Sequence, residues 1–551
     1  MNSTLADALQ TSLSVDAVAF MPQLIVCAAI VLLLLIRLIP RYDRWHLGWI
    51  ALALSAGACV LSAYQWLAPT SSQGSVSLFG GMLIYDNFSV FVNIYLYSFV
   101  TLVVLLTLLT GIPDKEDSAD FYCLLFGATL GMSLMASSNH LLMVFISIEM
   151  ASLPSYALAG FLKGRRQSSE AALKYVVYGG GASGVMLYGI SLIAGKFDTG
   201  SLPSLVEKIS TGGNFSDPVV IMGVSFLLAG VGFKLASVPF HFWCPDVFEG
   251  AAAEVGAFLS VASKGAALAL LARIALGLGN LSGPDPRTEA QSQVVYAAWN
   301  HATEYLVPVL SIFAVVTTTF GNLAAYGQTN LKRLLAYSTI AHAGYMMMGL
   351  ATMTRDGAGA VLFYLITYLF MNLGAFAVVA FMRNLTGQED LAYYRGFVYR
   401  SPLLVVMLGV FLLSLLGIPP LAGFAAKFQI FVVLFDAAQD YAKLGKPHLS
   451  YTLYAVLLAG GLNTVISLFY YVKVLKVMIL EKTLEEVEDR SVEQKPMPIF
   501  QAAYVSFLAL AILVLGIAWN PLAVASATQG VDTFRAAPKH KAESVPAKKG
   551  P

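Results

Sequence analysis

Of 551 residues, 58% are hydrophobic and only 12% charged, about half the charged fraction of a soluble domain, which excludes a soluble fold. The net charge of +1 leaves no excess for nucleic acid, and the basic residues sit mainly in loops and form no patch. Cys27, Cys59, Cys123 and Cys244 have no paired spacing that would ligate zinc or an iron–sulfur cluster, so they read as apolar fillers.

Apolar runs near the roughly 20 residues that span a bilayer recur from end to end, about fourteen of them. The stretch MNSTLADALQTSLSVDA has no basic region and no small-residue cleavage site, so the first helix is expected to stay in the mature protein. Helices one and two are expected near 20–39 and 47–66, joined by a loop with Arg37, Arg41 and Arg44 that the positive-inside rule makes cytoplasmic. Residues 75–87, SVSLFGGMLIYDN, alternate around Gly80 and Gly81 and read as a short hairpin, followed by helix three near 88–110. Helices four and five follow near 121–136 and 139–162, and the next loop holds Lys163, Arg165 and Arg166 on the cytoplasmic side. Helix six is expected at 171–194, helix seven at 218–240 and helix eight at 256–279, with long polar loops at 195–217 and 280–303 outside.

Helix nine, near 304–324, leads to a cytoplasmic loop with Lys332 and Arg333. Helix ten spans about 334–353 and helix eleven 357–381, before a loop with Arg383, Arg395 and Arg400. Helix twelve starts near 401, meets Gly417 and Pro419–Pro420, and resumes through Lys427. Helix thirteen, near 451–478, leads into EKTLEEVEDRSVEQK, and helix fourteen covers about 500–519. An even count returns the C-terminus to the outside with the N-terminus, and the basic tail KHKAESVPAKKG reads as disordered.

Two of these helices are broken. Pro239 has no N–H and crowds the preceding turn, which is expected to leave the carbonyl of Leu235 unpaired one residue past Lys234; Pro419 and Pro420 do the same to Leu415 and Leu416. The breaks suggest an internal repeat: a three-helix segment at 1–120, five-helix repeats at 121–280 and 281–480, and a final helix with its tail at 481–551. An odd number of crossings per unit inserts the second upside down relative to the first, with Lys234 and Lys427 expected to be counterparts.

A lysine at the middle of a bilayer helix costs about 3 kcal/mol and usually marks an ion path. Lys234, Lys264 and Lys427 lie several turns from a predicted end or beside a broken turn, so snorkelling explains them poorly; Lys174, nearer a helix start, can snorkel. Glu149 sits mid-helix in VFISIEMASLPSY with no polar neighbour in sequence and needs a partner. A lone histidine in an apolar setting is more often structural, yet imidazole suits a proton relay, which makes His241 and His342 candidate relays. Moving the Glu149 charge relative to a lysine about 7 Å away changes their interaction by roughly 2.4 kcal/mol at an effective dielectric near 20. Carrying one charge through 100 mV takes roughly 2.3 kcal/mol, so the two are matched. The run Gly179, Gly180, Gly181, Ala182, Ser183, Gly184 fits G-x-G-x-x-G but follows no strand, and reads as close helix packing. Residues 189–196 resemble a phosphate loop with one residue too many and Phe197 where a hydroxyl belongs. No nucleotide, flavin or iron–sulfur site is evident.

The stretches FKLASVPFHFWCPDVFEGA with SVASKGAA, GNLAAYGQTNLKRLLAYSTIAHAGYMMMG, and GIPPLAGFAAKF resemble the antiporter-like N subunits of proton-pumping NADH:quinone oxidoreductase, bacterial complex I, over most of 139–430. The resemblance implies an all-α polytopic membrane protein of about fourteen transmembrane helices, two inverted five-helix repeats each with a broken helix, and a polar axis that carries protons. It places Glu149 on the family's helix-five glutamate, Lys174 on a helix-six lysine, and Lys234 on the lysine of broken helix seven. Lys264 falls on the helix-eight lysine and Lys427 on the helix-twelve lysine, where the M-type paralogue has glutamate. It also implies that this chain binds no cofactor, and that NADH, flavin, iron–sulfur clusters and quinone belong to partner subunits. The implied partners are the other membrane subunits of the complex, antiporter-like paralogues included, and the lipid bilayer of a bacterial inner membrane. One stretch departs: EGAAAEV stands where the family reads EGAP-TPV, losing prolines and gaining Glu254. A subunit of a multi-subunit sodium/proton antiporter shares the broken helices and lysines and is the alternative, but QTNLKRLLAYSTIAHAGY and GIPPLAGFAAKF favour complex I. A mere scaffold would leave the buried lysines unexplained.

Overall fold

In hydrocarbon each backbone N–H and C=O must be paired within the protein, and apolar runs of about 20 residues meet that demand as helices. The computed structural model describes residues 14, 16–39, 46–67, 75–210, 217–278, 289–483, 494 and 496–531. Each expected span has its helix: α1 Met21–Arg37, α2 Gly48–Leu67, α3 Asn87–Thr110, α4 Ser118–Ser137, α5 Leu141–Ala159, α6 Arg166–Phe197 and α7 Pro218–Leu235. They continue as α8 Ala253–Gly277, α9 Glu289–Ala325, α10 Leu331–Ala351, α11 Arg355–Thr386, α12 in two halves, Pro402–Leu416 and Ala422–Lys443, α13 Pro447–Leu480 and α14 Ile499–Ile517. Among the described residues, 12 helices are long and apolar enough to cross a membrane, and Met21–Arg37 and the first half of α12 are shorter apolar helices. α8 and α11 are the most enclosed of these helices, and they pack on each other and both on α3 and α10.

The expected hairpin is present: β1 Val76–Leu78 pairs antiparallel with β2 Leu83–Tyr85. Gly80 and Gly81 turn the chain with φ of 66° and 91°, a region open to glycine at little cost. Asp86 then caps α3, accepting from the Ser89 amide at 2.8 Å while the Ser89 hydroxyl bonds the Asp86 amide.

Two expected loops are partly helical. The polar stretch from Glu289 onward, read as loop up to 303, is the first part of α9. Its side of the helix lies beyond the apolar run by which the span was recognised. Within 195–217 a short helix, Leu202–Ser210, buries Leu205, Val206 and Ile209. Arg41, Arg44, most of the charged stretch after α13 and the basic tail lie outside the described residues.

The break after Lys234 differs from the expected one. α7 ends at Leu235 because Ala236 takes a left-handed conformation, φ 56°, so Pro239 lies in the following turn and not inside the helix. The helix resumes as Trp243–Gly250. The first half of α12 ends the same way at Gly417, φ 93°, where a side chain would also press on the stem of Lys427.

The same backbone bonds recur at both breaks: Ser237 N to Gly232 O and Phe240 N to Ser237 O, then Ile418 N to Leu413 O and Leu421 N to Ile418 O. A second set repeats as well. Leu141 N and Leu202 N bond Gly200 O and Asn139 O across α5 and α6, as Leu331 N and Leu391 N bond Glu389 O and Thr329 O across α10 and α11. α6 and α11 are both 32 residues long. In the register of these break bonds, however, Lys427 falls on Asp246 and Lys234 on Leu415. The two lysines are therefore not counterparts; one precedes its break and the other follows it.

Candidate proton path

Glu149 lies mid-way along α5, half-buried, and accepts a hydrogen bond from the Ser183 hydroxyl of α6. Ser183 belongs to the glycine-rich run read as packing. Gly179 does seat α6 against the Tyr156 ring of α5, and the same close approach brings Ser183 to the carboxylate. Lys234 is 0% exposed, and its Nζ donates to the Ser152 hydroxyl of α5 at 3.1 Å. It lies within electrostatic range of Glu149 without bonding it. An aromatic wall closes this end: the Tyr175 ring stacks on Trp243 at 4.2 Å, and Trp243 Nε1 donates to Phe233 O at 3.0 Å, satisfying a carbonyl at the end of α7.

Lys264 follows directly on a π-helical turn, Leu259–Ser263, inside α8. Such turns concentrate at functional sites; here the Tyr95 hydroxyl of α3 donates to Val261 O at 3.0 Å, a carbonyl that the Lys264 amide also bonds. Lys264 is 1% exposed, and Cys244 Sγ lies 3.9 Å from its Nζ. His241 is buried between Phe242 and Phe320, with ring centroids 4.4 Å away on each side, and its Nδ1 has no partner.

His342 of α10 holds the middle of the second half. Its Nδ1 meets the Tyr364 hydroxyl at 2.8 Å and its Nε2 the Tyr471 hydroxyl at 3.3 Å, and it lies within electrostatic range of both Lys264 and Lys427. Lys427 is 3% exposed; its Nζ donates to Leu416 O at 2.9 Å and stands 4.6 Å over the Tyr345 ring. The carbonyl freed at the break is thus the lysine's partner, as the proline pair predicts. Among the described residues, Lys234, Lys264 and Lys427 have no carboxylate within ion-pair distance.

Lys174 sits apart from this line. It is partly exposed and ion-paired to Glu170 at 2.9 Å and Asp246 at 2.7 Å. Asp246 also holds Arg333 of α10 at 2.7 Å, which reaches Glu249 at 2.6 Å. Sequence reasoning missed this network and two buried ion pairs. Asp86 takes the Arg273 guanidinium through two bonds of 2.9 Å, and Arg273 also donates to Ala136 O. Glu254, the residue gained where prolines were lost, pairs with Arg383 at 3.1 Å. Both partners in each pair are far apart in sequence, so only Glu254's departure from the family wording could have signalled either.

The comparisons with known proteins fit this geometry. A family profile described as NADH:quinone oxidoreductase/Mrp antiporter, transmembrane, matches residues 138–283 and 292–444. NADH-quinone oxidoreductase subunit N of Anaeromyxobacter sp. (strain Fw109-5) is 38% identical over 518 residues, covering 92% of this chain and 95% of that one. Subunit N 2 of Sorangium cellulosum (strain So ce56) is 40% identical over 521 residues, covering 91% and 95%. A chain of respiratory complex I from Thermus thermophilus, solved with bound Aureothin, superposes with a TM-score of 0.70 at 29% identity over 92% of this chain and 100% of its own. A chain of the Mrp complex from Dietzia sp. DQ12-45-1b gives 0.75 at 18% identity, over 94% and 97%, and shares the fold. The chain therefore belongs to the NADH:quinone oxidoreductase/Mrp antiporter transmembrane family, on the side of NADH-quinone oxidoreductase subunit N.

Proposed function

We propose that the chain is a non-redox, proton-translocating subunit whose buried line of Glu149, Lys234, Lys264, His342 and Lys427 moves protons while partner subunits carry out electron transfer. The observation that carries this reading is the set of three fully enclosed lysines without a carboxylate partner, spread across both breaks. A charge so placed is costly and is tolerated where it is made and unmade during turnover. His241 extends the line beside Lys264, and Lys174 tunes its approach through Asp246. NADH, flavin, iron–sulfur clusters and quinone are assigned to partner subunits, and antiporter-like paralogues are expected among the membrane neighbours. The recurring hydrogen bonds support two repeats, inverted by their odd number of crossings; the basic loops favour both termini outside, and the bacterial relatives favour a bacterial inner membrane.

Proton pumping and quinone reduction by the whole complex in reconstituted vesicles test the reading. Lys234→Ala and Lys264→Ala should assemble at wild-type levels and lose most pumping. Lys234→Arg should fail too, because arginine does not release its proton. Full pumping in Lys234→Ala would overturn it, and co-purification with sodium/proton antiporter subunits in place of quinone reductase partners would favour the alternative.

A further inference from the structure

The connection between α7 and α8 ends in a buried cluster of four charges that the line above leaves unused. Glu254, fully enclosed in the first turn of α8, pairs with Arg383 of α11. Lys332 of α10, also buried, donates to Ala251 O at 2.7 Å and pairs with Glu389 at 2.8 Å, and it lies within electrostatic range of Glu254 and Arg383. Glu389 alone reaches solvent, its side chain 18% exposed, at the face the basic loops assign to the cytoplasm. The cluster therefore runs from surface to interior in the order Glu389, Lys332, Glu254.

Beyond Glu254 the apolar run Val255–Leu259 intervenes, and polar groups return on α8 at Ser260 and Ser263. Asn372 of α11 donates to the Ser260 hydroxyl, while Asn372 Oδ1 and Ser263 Oγ are buried with no partner. Buried polar atoms are nearly always hydrogen-bonded, and where protein supplies no partner, water does. The ten residues from Glu254 to Lys264 rise about 15 Å along a helix, and these two atoms lie within that interval, beside the π-helical turn. Lys264 stands at the end of it.

We propose that this column is the proton-uptake route to Lys264, with Glu254 the group that hands protons on; the proposal rests on the proton-path reading of Lys264. A proton moves from the Lys332 ammonium to the Glu254 carboxylate, and the neutral Lys332 amine is reprotonated from solvent through Glu389. Protonated Glu254 then passes its proton through water bound at Asn372 and Ser263 to a neutral Lys264 amine. Arg383 keeps its charge throughout and returns Glu254 to the carboxylate once the proton has left.

The test uses the whole complex in vesicles. Glu254→Gln keeps the side chain's size but cannot carry the proton, and should slow both proton uptake and quinone reduction about tenfold, equivalent to about 1.4 kcal/mol of barrier; Glu254→Asp should recover most of the rate. Wild-type rates in assembled Glu254→Gln would overturn the route. If that variant does not assemble, Glu389→Gln decides. This residue shares the rim with Lys332, Arg383, Asp390 and Tyr394, and its loss should slow turnover increasingly as pH rises and solvent protons become scarce. A pH profile like that of wild type would overturn the proposal. Loss of pumping in Lys264→Ala with normal Glu254→Gln refutes the route alone, whereas normal pumping in Lys264→Ala removes the reading beneath it.

Discussion

Replacing Lys234 by methionine should stabilise the protein and stop it pumping. The side chain is 0% exposed and its ammonium makes one hydrogen bond, to Ser152. An intramembrane lysine costs about 2.5–3.5 kcal/mol, and one hydrogen bond made by the charged ammonium returns about 1.5–3 kcal/mol, which leaves a net penalty of about 1 kcal/mol. Methionine fills nearly the same volume with a flexible apolar chain. Ser152 is not orphaned by the change, since its hydroxyl also donates to Ile148 O at 2.6 Å. Lys234→Met should therefore raise the unfolding free energy of the detergent-solubilised complex by about 1 kcal/mol, roughly fivefold in the unfolding equilibrium constant, while vesicle pumping falls to background. Stability traded for activity in this way is usual at functional sites. A variant less stable than wild type would show that Lys234 is paired and structural, and one that still pumps would remove it from the path.

The buried Asp86–Arg273 pair should behave in the opposite sense. Asp86→Asn leaves the enclosed guanidinium unpaired and should cost about 3–5 kcal/mol, whereas Asp86→Asn with Arg273→Met should return most of it, as read by denaturant unfolding. Ser183→Ala removes a hydrogen bond to a carboxylate, worth about 1.5–3 kcal/mol; pumping should fall about tenfold with assembly intact, and Ser183→Thr should restore it. At the start of α7, the hydrogen bond from Lys196 holds Asp217 below the usual carboxylate range. Its cap on the Val219 amide therefore contributes stability above that range and loses it only as pH falls through the lowered value, so hydrogen exchange at Val219 should stay protected at pH near 4.

The spans were legible because their signal is length: a run of apolar residues either crosses a bilayer or does not. The hairpin was legible from Gly80 and Gly81, and the Lys427–Leu416 contact from the proline pair beside it. What stayed hidden depends on neighbours distant in the chain. Nothing near Glu149 announces Ser183, and nothing near Asp246 announces that it binds cations from both α6 and α10. The mechanism of the α7 break was misread because a proline is a visible helix breaker, whereas Ala236 in a left-handed conformation carries no mark in the sequence. The same blindness made Lys234 and Lys427 look like a matched pair. Composition repeats loosely, but the backbone bonds that set the register place Asp246 opposite Lys427. The first part of α9 was missed because helix was inferred there from hydropathy alone.

The π-helical turn in α8 is an extra residue that the helix has absorbed without ending. One residue of an α-helix turns the chain by about 100°, so everything from Lys264 onward points about that much away from where an uninterrupted helix would aim it. Lys264 and Arg273 owe their directions to this twist, and Glu254 does not. Deleting any one residue of 259–263 should close the turn into ordinary helix and swing Lys264 off Cys244 while Glu254 keeps Arg383. The turn therefore acts as a swivel, letting evolution or an engineer re-aim the lysine without touching the anchor below it.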